Sequence, residues 1–197
     1  LDLYNPEIQH WWAGQASDPS ALLVNTSAGA GLTFDRPSRD QTGMHWEHTA
    51  GSWDEGGIDA AAADLDNDGR EEVVIGRSDY VEQWAMIFHQ TGDGTFEDVA
   101  KARGVSHACA ATPFLADFDR DGDLDVVLAS SRMREWCAAQ WDRNEIRFYQ
   151  NDASQHGSWL AIRLLGNGTS RNTSGIGARV TVEAGGTKIV KELVGGY

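Results

Sequence analysis

The chain has 197 residues with 16 Lys and Arg against 30 Asp and Glu, a formal charge of 16 − 30 = −14. That length supports one large or two small domains around a real core. So acidic a balance argues against nucleic acid and anionic membrane surfaces, which need clustered Lys and Arg, and no apolar run reaches the roughly 18–20 residues that cross a bilayer.

The chain opens at Leu1 without a Met, as expected if a leader has been removed. The first dense signal is the acidic run Asp64-Leu65-Asp66-Asn67-Asp68-Gly69-Arg70-Glu71-Glu72, which leads into Val73-Val74-Ile75, an apolar run that reads as a strand. Met86-Ile87-Phe88 reads as another strand, closed by the turn Gly92-Asp93-Gly94. Phe96 to Arg103 is expected to form one or two helical turns capped by Gly104. A second acidic run, Asp117-Phe118-Asp119-Arg120-Asp121-Gly122-Asp123-Leu124-Asp125, leads into Val126-Val127-Leu128. Beyond it, Trp159 to Leu164, Ala178 to Glu183 and Lys188 to Val194 alternate as strands, with Gly185-Gly186 as a hairpin turn.

Both acidic runs read D-x-D-x-D-G-x-x-[DE]. Carboxylates at alternate positions and a Gly that permits a sharp turn form an oxygen cage for a hard cation, and Ca²⁺ takes about 6–8 such oxygens. An EF-hand is excluded, because the twelfth position is Ile75 in one loop and Leu128 in the other, and the flanks are strands. The loops repeat at an offset of 117 − 64 = 53 residues, and residues 87–93 match 147–152 at an offset of 60, the difference falling in the insert Ser130 to Asn144. Short strands in units of this length are expected to form propeller-like blades.

The remaining features are weaker. If the segments flanking the second loop pair as a hairpin, Cys109 and Cys137 come level and a cross-strand disulfide is expected; two buried free thiols are the alternative. Eight tryptophans, Trp11, Trp12, Trp46, Trp53, Trp84, Trp136, Trp141 and Trp159, suit packing between blades or, second, the stacking of sugars. His45, Trp46, Glu47 and His48 lack further ligands at a metal spacing and read as surface histidines. Sequons at Asn25, Asn167 and Asn172 carry little weight. No nucleophile and base constellation emerges, so the chain is not read as an enzyme.

Three stretches resemble a known family order. These are Ala30 to Phe34 with Gly56-Gly57-Ile58 and the Asp64 loop; Thr91 to Ala100 ending at Gly104-Val105; and Trp159 to Leu164 with Ser170-Arg171-Asn172, Gly175 to Val180 and Gly195-Gly196-Tyr197. Together they resemble the FG-GAP/VCBS repeats of integrin-type β-propellers, followed by an ASPIC/UnbV module, as in cartilage acidic protein-like chains. The resemblance implies an all-β fold: an incomplete propeller over residues 1–157 with calcium loops at 64–72 and 117–125, and a small β module over 158–197.

It also implies two Ca²⁺ sites. The side-chain ligands would be Asp64, Asp66, Asp68 and Glu72, then Asp117, Asp119, Asp121 and Asp125, with backbone carbonyls of Arg70 and Asp123 in the seventh positions. Glu72 departs from the more usual Asp. The function implied is that of a secreted, extracellular or cell-surface calcium-binding structural or adhesion protein. Two clear blades leave strand edges open, so a homo-oligomer or filament is expected. A carbohydrate-binding, lectin-like module with glycans as partners is the alternative.

Overall fold

The computed structural model describes residues 2–46, 48, 53–153, 159–166 and 172–193; Glu47, Asn167, Ser170, Arg171, Val194 and Gly195-Gly196-Tyr197 lie outside them. The chain is all-β, with two propeller-like blades that do not complete a ring. It divides into two compact units, Leu1–His156 and Gly157–Tyr197.

In the first unit, β1 (Leu3–Asn5), β3 (Ala21–Asn25) and β4 (Phe34–Asp35) form a three-stranded sheet in the order β1-β3-β4. The first blade is a five-stranded sheet, β2 (Ile8–His10), β5 (Asp54–Ala63), β6 (Glu72–Arg77), β7 (Met86–Gln90) and β8 (Phe96–Asp98), in chain order. The second blade joins β9 (Phe114–Ala116), β10 (Asp125–Ala129) and β11 (Ile146–Tyr149), with β10 central. Among the described residues two short helices, α1 (Arg39–Thr42) and α2 (Glu135–Gln140), and one 3₁₀ turn complete the unit's regular structure.

Alternation along β6 builds two cores at once, since successive side chains point to opposite faces. Val74 faces the second blade and joins Ala63, Leu65, Ile87, Val126 and Leu128, with Leu115 and Tyr149 against them. Val73 and Ile75 point the other way, to Met86, Phe88 and Met44, covered by Tyr4, Leu22, Trp46 and Phe96. Apolar on both faces, the run Val73-Val74-Ile75 reads as continuous rather than alternating. At Gly76 the backbone comes so near the segment ahead of β9 that a Cβ would stand 2.3 Å from the carbonyl oxygen of Ala111.

Several sequence expectations change. Phe96 to Arg103 does not start as a helix. The Gly94 turn (φ 86°) folds Phe96–Asp98 back onto β7, Gln90 pairing with Phe96 and Phe88 with Asp98. Only a tight turn follows, with Val105 N donating to Ala100 O and Gly104 at φ 84°. The repeat offset after the loops is one longer than the residue match indicates. Val73 pairs with Phe88, and its equivalent Val126 with Tyr149, so the offset is 149 − 88 = 61.

Cys109 and Cys137 are joined in a disulfide, Cα atoms 6.0 Å apart, but the link is not cross-strand. Cys137 sits on α2 within the insert, and Cys109 lies ahead of β9.

In the second unit β12 (Arg179–Ala184) and β13 (Thr187–Glu192) form the expected hairpin. Gly185 and Gly186 both have positive φ, 58° and 88°, as a two-residue turn requires. Trp159 to Leu164 is not in a strand.

Candidate metal centre

Each acidic run is the connection of a hairpin, β5 to β6 and β9 to β10, and the two connections share a backbone. The fourth and sixth residues take positive φ in both: Asn67 59° and Gly69 91°, Arg120 65° and Gly122 103°. In both, the first carboxylate gathers loop amides. Asp64 accepts from Asp68 N (3.1 Å) and Gly69 N (3.0 Å), and Asp117 from Arg120 N (2.7 Å) and Gly122 N (3.3 Å). The fifth carboxylate accepts from the seventh amide, Arg70 N to Asp68 at 2.8 Å and Asp123 N to Asp121 at 3.0 Å.

The ninth carboxylate opens the following strand and is fully buried in both copies. Glu72 Oε2 accepts from Leu65 N at 2.7 Å, and Asp125 Oδ2 from Phe118 N at 3.0 Å. These two groups therefore clamp the loop onto its own exit strand. Burial pushes the Glu72 carboxyl up, against the opposing pull of the Leu65 amide and His89.

Oxygens converge as a cation site requires. Carboxylate oxygens of Asp117, Asp119 and Asp121 lie within 4.8 Å of one another, as do those of Asp64, Asp66 and Glu72. Asp66 Oδ1 is buried without a hydrogen-bond partner, an exposed-lone-pair arrangement that a hard cation satisfies. The donor set, carboxylates on a glycine turn, fits Ca²⁺. Of the expected ligands, Asp68 converges with Asp66 and His89 rather than with Asp64 and Glu72, and Asp125 stands outside the second group, its two oxygens accepting from Phe118 N and Asn151 N.

The two loops differ in what surrounds them. Arg103 donates to Asp66 Oδ2 at 3.0 Å, Arg70 caps Asp68, and His89 Nδ1 lies 2.7 Å from Glu72 Oε1 and 3.4 Å from Asp66 Oδ2. At the register position equivalent to His89, the second blade has Gln150, whose amide donates to Asp119 Oδ2 at 2.6 Å. Two guanidinium groups thus compete for the carboxylates of the first loop, and a neutral amide stands in the second.

Sequence reasoning missed three residues here. Asp123, read only for its backbone carbonyl, has a buried carboxylate that accepts from Asn67 Nδ2 at 2.6 Å. Asn151 donates from its backbone to Asp125 (2.8 Å) and from its side chain to Leu65 O (2.6 Å), so the two loops are tied together across the blades. His89 lies seventeen residues beyond Glu72 and only the strand register reveals its place.

Trp46, Trp53, Trp141 and His48 pack within the first unit, whereas Trp11, Trp12, Trp84 and Trp159 are exposed. Trp141 is buried beside the disulfide, its Nε1 donating to Ala108 O at 3.0 Å. Trp46 lies between the guanidinium groups of Arg39 and Arg77, 4.5 and 4.6 Å from its ring. His48 stacks on Trp53 and meets the buried Glu55 at 2.7 Å, and Glu55 also takes a bidentate pair from Arg39.

Residues 64–128 match the FG-GAP-like repeat. The matched segment begins at the first carboxylate of one loop and ends in the strand after the other, so it contains both hairpin connections and lies within the first unit. Over 44 residues the chain is 48% identical to cartilage acidic protein 1 of Homo sapiens, an alignment spanning 21% of this chain and 7% of that relative. No solved structure gives a significant match. No helix among the described residues is long and apolar enough to cross a membrane.

Proposed function

We propose that this chain is an extracellular calcium-binding structural module. Its FG-GAP-like loops would each hold one Ca²⁺ that fixes the β5–β6 and β9–β10 hairpins and does no chemistry. The observation that carries the reading is the shared loop backbone with a buried ninth carboxylate clamping each loop to its strand. An ion bridging the alternate carboxylates would offset their mutual repulsion and lock the loop in one conformation. The same ions would order the contacts that tie the loops together through Asn67, Asp123 and Asn151. The FG-GAP-like match and the short match to a cartilage protein support a place outside cells, where calcium is abundant; an adhesion or assembly role with associating copies is our reading of the open strand edges.

The test is thermal unfolding in calcium and in chelator. Ligand binding to the native state alone adds RT ln(1 + [L]/Kd), about 2.7 kcal/mol at 100 Kd, so the melting temperature rises with calcium. Asp117→Asn with Asp121→Asn removes part of that rise. An unchanged melting temperature would sink the reading. A second reading, glycan binding, is favoured by Trp11 and Trp12, exposed at 51% and 68%; it predicts sugar binding lost in Trp12→Ala and unaltered by chelator.

A further inference from the structure

The two loops share a backbone but meet different neighbours. In the second, the converging ligand atoms are those of Asp117, Asp119 and Asp121, all from the loop itself. In the first, Asp68 converges with Asp66 and with a ring nitrogen of His89, the three ligand atoms lying within 4.8 Å of one another. His89 belongs to β7, not to the loop, and the β6–β7 ladder carries it there. Its side chain is 17% exposed, and its Nδ1 lies 2.7 Å from Glu72 Oε1 and 3.4 Å from Asp66 Oδ2. Gln150 takes the equivalent register position in the second blade and gives Asp119 an amide N–H.

This exchange changes the donor chemistry. All-oxygen cages suit Ca²⁺ and Mg²⁺, whereas an imidazole beside carboxylates suits Zn²⁺ and its neighbours in the first transition row. Zn²⁺ binds nitrogen and carboxylate oxygen at about 2.0–2.2 Å and holds its ligands tetrahedrally. Two ligand atoms on one such ion stand roughly 3.4 Å apart. That is the separation of His89 Nδ1 and Asp66 Oδ2. Asp66 has capacity to spare, because its other oxygen, Oδ1, is buried without a hydrogen-bond partner. Asp66 and Asp68 are each already held by positive charge, from Arg103 and Arg70.

We propose that the first loop is a site for a divalent transition ion of the zinc class, held by Asp66, Asp68 and His89 with water completing the shell. The inference rests on the reading of the loops as cation cages and adds a selectivity to one of them. His89 binds through Nδ1 as the neutral ring, with its proton on Nε2. The ion takes the place of the hydrogen between Nδ1 and Glu72 Oε1, while Glu72 Oε2 keeps its hold on Leu65 N. Arg103 and Arg70, both exposed, turn away to solvent. The second loop, served by an amide in place of the imidazole, keeps calcium.

The experiment is isothermal titration of the whole chain with zinc chloride, with and without calcium, followed by calcium titration of the zinc-loaded chain. The expected result is one zinc ion per chain in both conditions, and a calcium stoichiometry that falls from two to one once zinc is bound. His89→Gln, which copies the amide of the second blade, loses the zinc ion and keeps two calcium ions in the presence of zinc, with far-UV circular dichroism unchanged. Asp68→Asn, a change in the exposed part of the loop, separately loses the zinc ion. A wild type that takes no zinc, zinc that leaves both calcium ions bound, or folded variants that still hold the zinc ion would each overturn it. Two calcium ions and no zinc defeat this inference and spare the calcium reading; zinc lost in His89→Gln, in a chain that takes no calcium in either loop, does the reverse.

Discussion

His107 is fully buried between Trp141, 4.8 Å away, and the hydroxyl of Tyr149, 3.1 Å from Nδ1. Burial, helped by the Arg147 charge, pulls its pKa down to about 4. The unfolded chain takes up that proton near pH 6.5, and the folded chain only near 4. Between those values the unfolded state binds more protons, so stability falls as the pH drops, by an amount of order 3 kcal/mol once pH 4 is reached. Denaturant melts of His107→Gln against wild type, from pH 7 to 4, measure it. The variant loses part of this dependence; equal slopes would remove His107 from the account. Glu72 and Asp125 work differently at the same scale, each buried carboxylate accepting a backbone N–H from the start of its own loop. Nothing in the pattern of acidic residues separates these clamps from the other loop carboxylates. The strand that follows them does, because its first side chain turns inward.

At the level of elements, the disulfide fastens α2 and its insert to the segment before β9 across 28 residues. In the chain-entropy model, closing a loop of that length contributes about 3–4 kcal/mol. Reduction is therefore expected to lower the melting temperature while both calcium loops still bind, because neither Cys lies in a loop; calcium heats lost on reduction would contradict this. The elements legible in the sequence were those with a concentrated signal: β6, β10, the acidic connections and the β12–β13 hairpin. β5 was not, because its Ala60-Ala61-Ala62-Ala63 run has low strand propensity and is held by its pairing to β6. The β1-β3-β4 sheet was missed for the same kind of reason, its strands being short and defined by partners 18 residues apart in the Leu3 to Ala21 case, measured from the strand starts. The one-residue slip in the repeat offset hid His89, since matching by residue type aligned it with Tyr149 while the ladder aligns it with Gln150.

For the molecule as a whole, the loops read from sequence and the blades built by the chain agree on a single device, a hairpin whose turn is a carboxylate cage. The two cages are unequal. Arg103 and Arg70 pair with Asp66 and Asp68 in the first, and Gln150 donates to Asp119 in the second, so an incoming calcium ion would displace guanidinium groups from one and an amide from the other. The direct hydrogen bonds that unite them, Asn67 to Asp123 and Asn151 to Leu65, would let an ion held in either loop support the other. The most direct measurement is isothermal titration of the native chain with calcium, repeated for Arg103→Ala and for Asp117→Asn/Asp121→Asn. The account predicts two ions per chain, the weaker step strengthened in Arg103→Ala and the tighter step lost in the double variant. A chain that takes up no calcium, or a single ion unaffected by either substitution, would contradict it.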